Sequence, residues 1–374
     1  MTRPIEAHIS LANLQHNFAL ARRSTPAACI MAVVKANAYG HGALQVAGAL
    51  APYADAFGVA SLEEAVELRD GGVDSPIVLL SGVFGRAEIL EVARYDLGSV
   101  IHCAEQLQML LDTPLRRPVA VWLKFDTGMH RLGFSSAEFC RAAARLRLAE
   151  QVSQLTFISH LACADEPAAT LNESQLMRFR HTLDELCVRP RECASLANSA
   201  GLLTRPDMHF DWVRPGVMLY GVNPLAANIA PPFEAGEELR PVMSLHSRVV
   251  ALQAVPAGEA VGYGDVWRAP LPSAEGLAKP ARIAVVAAGY GDGYPRHADN
   301  TCPVLVNDKP TVIAGRVSMD LLTVDVSANP ETKVGDVVTL WGEGLPVESI
   351  AACSDTIAYE LLTGVNQRVK FCYE

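Results

Sequence analysis

Lys35 closes the apolar run CIMAVV and is followed by the glycine-bearing ANAYGHG, so an ammonium stands where a strand hands over to a loop. Burial lowers a lysine pKa, so that position suits either a surface lysine that snorkels or a reactive amine. Asp126, His160, Asn198 with Ser199, and Arg214 stand at the ends of apolar runs in the same way. Such residues could cap helices, but lysine, histidine and arginine are poor caps. Their types suit proton transfer and anion binding instead. Ser199 with the amides of Gly216 and Val217 could cradle a phosphate, although Ser199 could also serve as an N-cap. Gly40-His41-Gly42 is similar to a dinucleotide-binding turn, but Gln45 stands where the third glycine belongs and no Walker loop is present, which argues against nucleotide binding. ANSAG is not a hydrolase elbow, because Ala197 replaces its first glycine.

The elements that must position these residues alternate regularly. Between Cys29 and Gly221 lie eight apolar runs: CIMAVVKA, ADAFGVAS, PIVLLSG, LGSVIH, VAVWLKFD, LTFISHLA, ECASLANS and DWVRPGVMLYG. Amphipathic segments such as LEEAVELRDGG and SSAEFCRAAARLRL separate them, and Ala43 to Leu50 reads as the first intervening helix. Eight βα units in this length predict an α/β fold, a closed (β/α)8 TIM barrel, whose strand ends share one face where barrel enzymes place their active sites. The Pro-, Ala- and Gly-rich segment Asn223 to Pro241 has no clear period and marks a boundary. We therefore expect a barrel over 1–235, with the first ten residues or so free to pack with the second domain, and a mostly β domain over 236–374. There, β-branched runs are broken by Asn-Asp, Pro and Gly turns, with one helical stretch near Ser349 to Leu362.

The bulk composition narrows the partners. Of 374 residues, 50% are hydrophobic and 19% charged, enough for a substantial core. A formal charge of -10 without a basic run argues against nucleic acid and anionic membranes, and leaves a small molecule as the partner. Nine scattered cysteines without a CxxC pair or zinc-site spacing fit a reducing compartment. With no signal-peptide core and no run approaching about 20 apolar residues, the expectation is a cytoplasmic protein.

AVVKANAYGHG closely resembles the pyridoxal 5'-phosphate (PLP) motif of alanine racemases, in which the lysine carries the cofactor as an internal Schiff base and the tyrosine holds its phosphate. The resemblance assigns these roles to Lys35 and Tyr39, and the phosphate also to Ser199, Gly216, Val217 and Tyr359. Asn198 falls in the same cofactor-binding group. RPG…YG, Arg214 to Gly221, places Arg214 against the pyridine nitrogen. A guanidinium donates a hydrogen bond there without giving up its proton, which damps the electron sink. VWLKFDTGMHRLG points to Arg131 for the substrate carboxylate, and to Lys124 as the match of a lysine that is carbamylated in many members and pairs with that arginine. SHLACAD places His160 between the catalytic tyrosine and Arg214, with Asp165 at the entrance. VGYGDVWRA matches the second catalytic base, Tyr263, which in the family enters the partner subunit's site. GYGDGYPR and GRVSMD also match; Tyr290, Met319 and Asp320 would complete the neighbouring site, and Ser318 replaces the cysteine of several members.

The resemblance thus implies an alanine racemase, an obligate homodimer that interconverts L- and D-alanine by a two-base PLP mechanism, to supply D-alanine for peptidoglycan or to degrade it. Lys35 would exchange the proton on the D-alanine side and Tyr263 on the L-alanine side, with His160 and Arg214 as positive neighbours that lower the tyrosine pKa. Two rivals use similar barrels. A PLP-binding homeostasis protein lacks a second domain, and a PLP-dependent decarboxylase wants an acidic partner for the pyridine nitrogen where this chain has Arg214. Tyr359 and Met319 suggest a pocket narrow enough for alanine.

Overall fold

The computed structural model describes residues 3–227, 229–271 and 280–374. It divides into two compact units, one of Gln15–Ala38 and Gly42–Leu239, the other of Met1–Leu14, Tyr39–His41 and Arg240–Glu374. After strand β1 (Glu6–Ile9) come the strands of the larger unit: β2 (Cys29–Val33), β3 (Ala56–Val59), β4 (Ile77–Leu79), β5 (Leu97–Ile101), β6 (Val119–Lys124), β7 (Val152–Ile158), β8 (Cys193–Asn198) and β9 (Trp212–Arg214). They pair in parallel in that order, and Cys29 opposite Trp212 closes the barrel. All eight apolar runs of the sequence became these strands. Their interior carries Met31, Ala56, Val78, Val100, Trp122 and Ile158 as one buried cluster, with the Trp122 and Trp212 rings edge-to-face at 5.5 Å.

The helix after β2 begins at Ala43 and ends at Leu50, as its periodicity predicts. The residues between are not the loop that the sequence suggests. Lys35–Gly40 coils into a left-handed turn, with φ of 53° at Ala36, Asn37 and Ala38, 51° at Tyr39 and 83° at Gly40. L-residues avoid this conformation, at roughly 1–2 kcal/mol each, because Cβ crowds the following carbonyl. Local hydrogen bonds offset part of that cost. The Ala38 N–H donates to Val34 O at 2.8 Å, the Gly42 N–H to Asn37 O at 3.0 Å and the Ala43 N–H to Asn37 Oδ1 at 2.8 Å. Glu64 pins the entry by accepting the Ala36 and Ala60 N–H groups, both at 2.7 Å. Gly40 admits no side chain, since a Cβ would lie 2.1 Å from Leu362 O.

In the second unit, β10 (Met243–Val255), β11 (Ala281–Val286), β12 (Pro303–Val306), β13 (Lys309–Val312), β14 (Leu322–Asp325), β15 (Val337–Trp341) and β16 (Lys370–Tyr373) complete a sheet ordered β13-β12-β15-β10-β1-β16, which β11 and β14 extend from β10. β1 runs antiparallel to β10 and parallel to β16. Val261, Ala269, Ala281, Ile283 and Ala314 form one buried cluster, and Tyr294 stacks on the fully buried Trp341 at 5.9 Å. The helical stretch expected near Ser349 to Leu362 is broken in two, Val347–Ala352 and Ala358–Gly364. Asp355 takes a φ of 48°, and the Ser354 and Thr356 N–H groups both turn back to Ala351 O, which ends the first helix. No helix among the described residues is long and apolar enough to cross a membrane.

The strain in the left-handed turn gives a direct test at the exposed Ala36. Ala36→Val should lower the urea unfolding free energy by more than about 1 kcal/mol, because a β-branched residue is poorly tolerated at positive φ. Ala36→Gly should hold or raise it. Equal stability of the two variants would contradict the left-handed assignment.

Candidate active site

The chemistry-bearing residues of the barrel unit all sit at or just beyond the C-terminal ends of its strands. Lys35 follows β2, Lys124 ends β6, Asp126 follows it, His160 follows β7, and Asn198 and Arg214 end β8 and β9. These ends share one face of the barrel.

Arg214 is the most constrained of them. It is buried, and no carboxylate pairs with it among the described residues. Its guanidinium donates instead to neutral acceptors: Ser195 Oγ, Ser159 O at 2.6 Å and Leu196 O at 3.3 Å. Burial pulls its pKa down to about 10, so it remains a cation at neutral pH. Nη2 also donates to Nδ1 of His160 at 3.3 Å. Because arginine cannot accept, the imidazole accepts through Nδ1 and carries its proton on Nε2. Burial, followed by the charges of Arg214 and Lys124, holds the His160 pKa well below its ordinary value. A neutral His160 carries no charge with which to act as the positive neighbour expected for Tyr263.

Two lysines share this field. Lys35 is exposed as a residue, yet desolvation of its amine and then Arg131 lower its pKa, against a smaller opposing pull from Glu64. Lys124 is lowered to about 8, first by desolvation and then by Arg214, Arg131 and Lys35. As an amine, Lys124 therefore repels Arg131 rather than pairing with it. Four cationic side chains thus face a shortage of negative charge, which is what an anion-binding site requires.

Arg131 is exposed and rides on a loop built by Asp126. Asp126 Oδ1 accepts the N–H groups of Gly128, Met129 and His130 at 2.9, 3.1 and 3.0 Å, while Oδ2 meets His130 Nδ1 at 3.0 Å. Burial alone would raise this carboxyl, but the backbone donors and His130 outweigh it and hold the pKa low. Gly133, at φ +129°, closes the loop where a Cβ would sit 2.6 Å from Asp126 N.

The Gly216 N–H is directed at Ser199 Oγ, 2.8 Å away, which leaves the serine hydroxyl able to donate outward. Asn198, not Ser199, is the N-cap, with its side chain accepting from Gly201 N. Val217 opens a 3-10 turn to Tyr220, whose hydroxyl donates to Val33 O at 2.9 Å and ties the end of β9 to β2. Asp165 is exposed, and its backbone carbonyl accepts from Ala226 N.

The remaining candidates belong to the second unit. Tyr39 is buried with its ring 5.9 Å from that of Tyr359, and burial, then the neighbouring phenol, push its pKa up, so it stays a hydrogen-bond donor. Tyr263 lies between Gly262 at φ 76° and Gly264 at φ 77° and is 70% exposed. Tyr290 and Met319 are exposed on two loops joined by Tyr290 N to Ser318 O (3.1 Å) and Gly291 N to Met319 O (2.8 Å), and Asp320 accepts from Arg368 at 2.5 Å.

Sequence reasoning missed several supports. Ser159, Ser195 and Glu64 read as ordinary polar residues, yet the first two receive Arg214 and the third pins the left-handed turn. Gln175, from the helix Thr170–Leu186, is fully buried and donates to Thr127 Oγ1 and His160 O while accepting from Ala162 N. A polar residue on the apolar stripe of that helix was the available signal.

Residues 9–224 match the family model "Alanine racemase, N-terminal domain", and residues 242–373 match "Alanine racemase, C-terminal domain". The chain belongs to the alanine racemase family. It is 48% identical over 367 residues, 98% of both chains, to "Alanine racemase, biosynthetic" of Pseudomonas aeruginosa, and 46% identical, with the same coverage, to "Alanine racemase" of Stutzerimonas stutzeri. The crystal structure of biosynthetic alanine racemase from Pseudomonas aeruginosa superposes over 100% of both chains with a TM-score of 0.92. The family assignment, the isomerase class and the barrel-plus-β architecture expected from the motifs therefore hold.

In this member of the alanine racemase family, the half-buried, neutral His160 sets an acid limit. Below the unfolded histidine pKa, near 6.5, the unfolded chain takes up a proton that folded His160 refuses, so stability must fall as pH drops. His160→Gln should flatten that acid slope by about 1.4 kcal/mol per pH unit in urea unfolding between pH 6 and 5. An unchanged slope would show that His160 charges in the folded state.

Proposed function

We propose that this chain interconverts L- and D-alanine with PLP as cofactor, and that two copies combine to complete each site. The observation that carries this reading is the buried Arg214, a permanent donor held by neutral acceptors at the end of a barrel strand, in a chain matched by both family models. The donor set fits PLP. Lys35 supplies an amine of lowered pKa for covalent attachment, Arg214 a donor for the pyridine nitrogen, and the Ser199 hydroxyl, the Val217 amide and the Tyr39 and Tyr359 phenols suit an anionic phosphate. Gly216 shapes the cradle through its bond to Ser199. Arg131 suits the substrate carboxylate and Asp165 the entrance, while the partner subunit's Tyr290, the partner subunit's Met319 and the partner subunit's Asp320 complete the site.

PLP, when bound, acts as the electron sink that makes the Cα proton of a substrate amine acidic. The chain's own groups then manage that proton. Inversion requires removal on one face and return on the other, so two opposed groups are needed. Lys35, with its lowered pKa, exchanges the proton on the D-alanine side. The partner subunit's Tyr263 serves the L-alanine side, and its high exposure between two positive-φ glycines suits a residue that reaches into a second copy. Arg214, fixed as a donor, keeps the sink weak enough to favour reprotonation at Cα over side reactions.

Lys124 has a further part in this reading. An amine with a pKa of about 8 is partly neutral at physiological pH and can add to carbon dioxide, losing a proton to form a carbamate. The carbamate would replace a repelling cation by an anionic partner for Arg131. Labelled bicarbonate should be incorporated by the wild type and not by Lys124→Met; equal incorporation would remove this role.

The "biosynthetic" name of the Pseudomonas aeruginosa relative supports D-alanine supply, for peptidoglycan, over degradation. Nine free cysteines fit a cytoplasmic enzyme.

Purified PLP-loaded protein should convert L-alanine to D-alanine carrying deuterium at Cα in deuterated buffer, as read by chiral chromatography. Lys35→Ala and Tyr263→Phe should each cost about 10²–10⁴-fold in rate. A randomly re-associated equimolar mixture of the two variants should regain up to roughly a quarter of wild-type activity, because about half of its dimers are mixed and one site of the two in each keeps both groups. Absence of conversion and label despite bound PLP would point to a binding protein, and release of carbon dioxide to a decarboxylase.

A further inference from the structure

The outer face of the second unit's sheet gathers ligand-type side chains that racemisation does not use. β1 alternates strictly, with Ala7 and Ile9 fully buried and Glu6 and His8 on the other face, and β10 places His246 on that same polar side opposite Glu6. In the parallel register with β16, His8 stands opposite Cys372 and Glu6 opposite Lys370. One ligand atom each from Glu6, His8 and Cys372 lies within 4.8 Å of the other two, and Cys372 is a free thiol.

The hydrogen bonds of His8 carry the argument further. Nδ1 meets Glu374 Oε1 at 2.8 Å, and Nε2 faces Glu6 Oε2 at 3.4 Å. In the tautomer that donates from Nδ1 to Glu374, Nε2 presents its lone pair toward Glu6 Oε2. Two acceptors face each other stably only if a proton or a cation lies between them. A tetrahedral zinc ion, with bonds to nitrogen and oxygen near 2.0–2.1 Å, sets neighbouring ligand atoms about 3.4 Å apart, which matches this gap. The Glu374–His8 contact is the carboxylate–histidine arrangement that orients metal-bound imidazoles. Lys370 donates to the other Glu6 oxygen, Oε1, at 2.8 Å and also meets Cys372, so a bound zinc displaces this ammonium from the thiol and takes Glu6 Oε2. His246, with its ring 5.4 Å from that of His8 and its Nδ1 3.2 Å from Thr339 Oγ1, supplies a further imidazole beside the cluster.

We infer that the outer face of β1, β10 and β16 binds one zinc ion per chain through Glu6, His8 and Cys372. On binding, the Cys372 thiol gives up its proton, and sulfur, nitrogen and oxygen take three corners of the tetrahedron, with water or His246 at the fourth. The thiolate and imidazole select zinc over calcium or magnesium. The ion joins strands far apart in the chain, so it stabilises the sheet by mass action.

The test titrates zinc chloride into the PLP-loaded full-length protein against a chromogenic chelator, alongside His8→Ala and Cys372→Ser. Neither residue belongs to the racemisation machinery, so alanine turnover measured without zinc serves as the folding control. The expected result is one zinc per chain, weakened by an order of magnitude or more in each variant, with a zinc-dependent rise in Tm that both variants lose. Cobalt should show a thiolate charge-transfer band that disappears in Cys372→Ser. Zinc affinity unchanged in the two variants, or no stoichiometric binding by the wild type, would overturn the site.

Discussion

An arginine buried among neutral acceptors is the constraint around which the barrel end is arranged. Desolvation without a carboxylate costs Arg214 part of its basicity, and the Ser159 and Leu196 carbonyls and the Ser195 hydroxyl recover part of that loss. Its charge then propagates. After desolvation, which is the larger cause for both groups, it lowers His160 and joins Arg131 and Lys35 in lowering Lys124, and it fixes the His160 tautomer. A carboxylate at the position of Arg214 would reverse these effects, since it would raise the neighbouring lysines and protonate the histidine. The electrostatics of racemisation therefore depend on the absence of a counter-charge as much as on the cations themselves.

The backbone is under comparable constraint. Four successive non-glycine residues in the left-handed region follow Lys35, at a cost that the fold sustains because Glu64, Asn37 and Val34 supply acceptors in fixed places. A regular helix there would carry Asn37 and Tyr39 along a different path from the same lysine. Asp126 does similar work in the Arg131 loop, where one carboxylate oxygen collects three N–H groups. Both anchors are acidic residues that hold backbone N–H groups, and each also raises the pKa of a nearby lysine, Glu64 that of Lys35 and Asp126 that of Lys124.

The alanine racemase family and the zinc cluster use different parts of strand chemistry. Barrel residues act from strand ends, where parallel pairing collects them on one face. Glu6, His8 and Cys372 act from strand middles, where period-two alternation and register set them side by side.

The eight strands were legible in the sequence because a strand buried on both faces must be continuously apolar, and Lys35, Lys124, His160 and Arg214 were legible because cations at the ends of such runs are costly without a purpose. The motifs likewise named the family, since long ordered matches survive any change of surroundings. Tertiary structure alone decided which partners each side chain found. The hydrogen bond that makes Asn198 rather than Ser199 the cap, the neutral state of His160, the left-handed path after Lys35 and the break at Asp355 each depend on atoms far along the chain or on local backbone dihedrals. Periodicity reports only which face is apolar, whereas hydrogen bonding, desolvation and strain depend on distances that exist only once the chain has closed on itself.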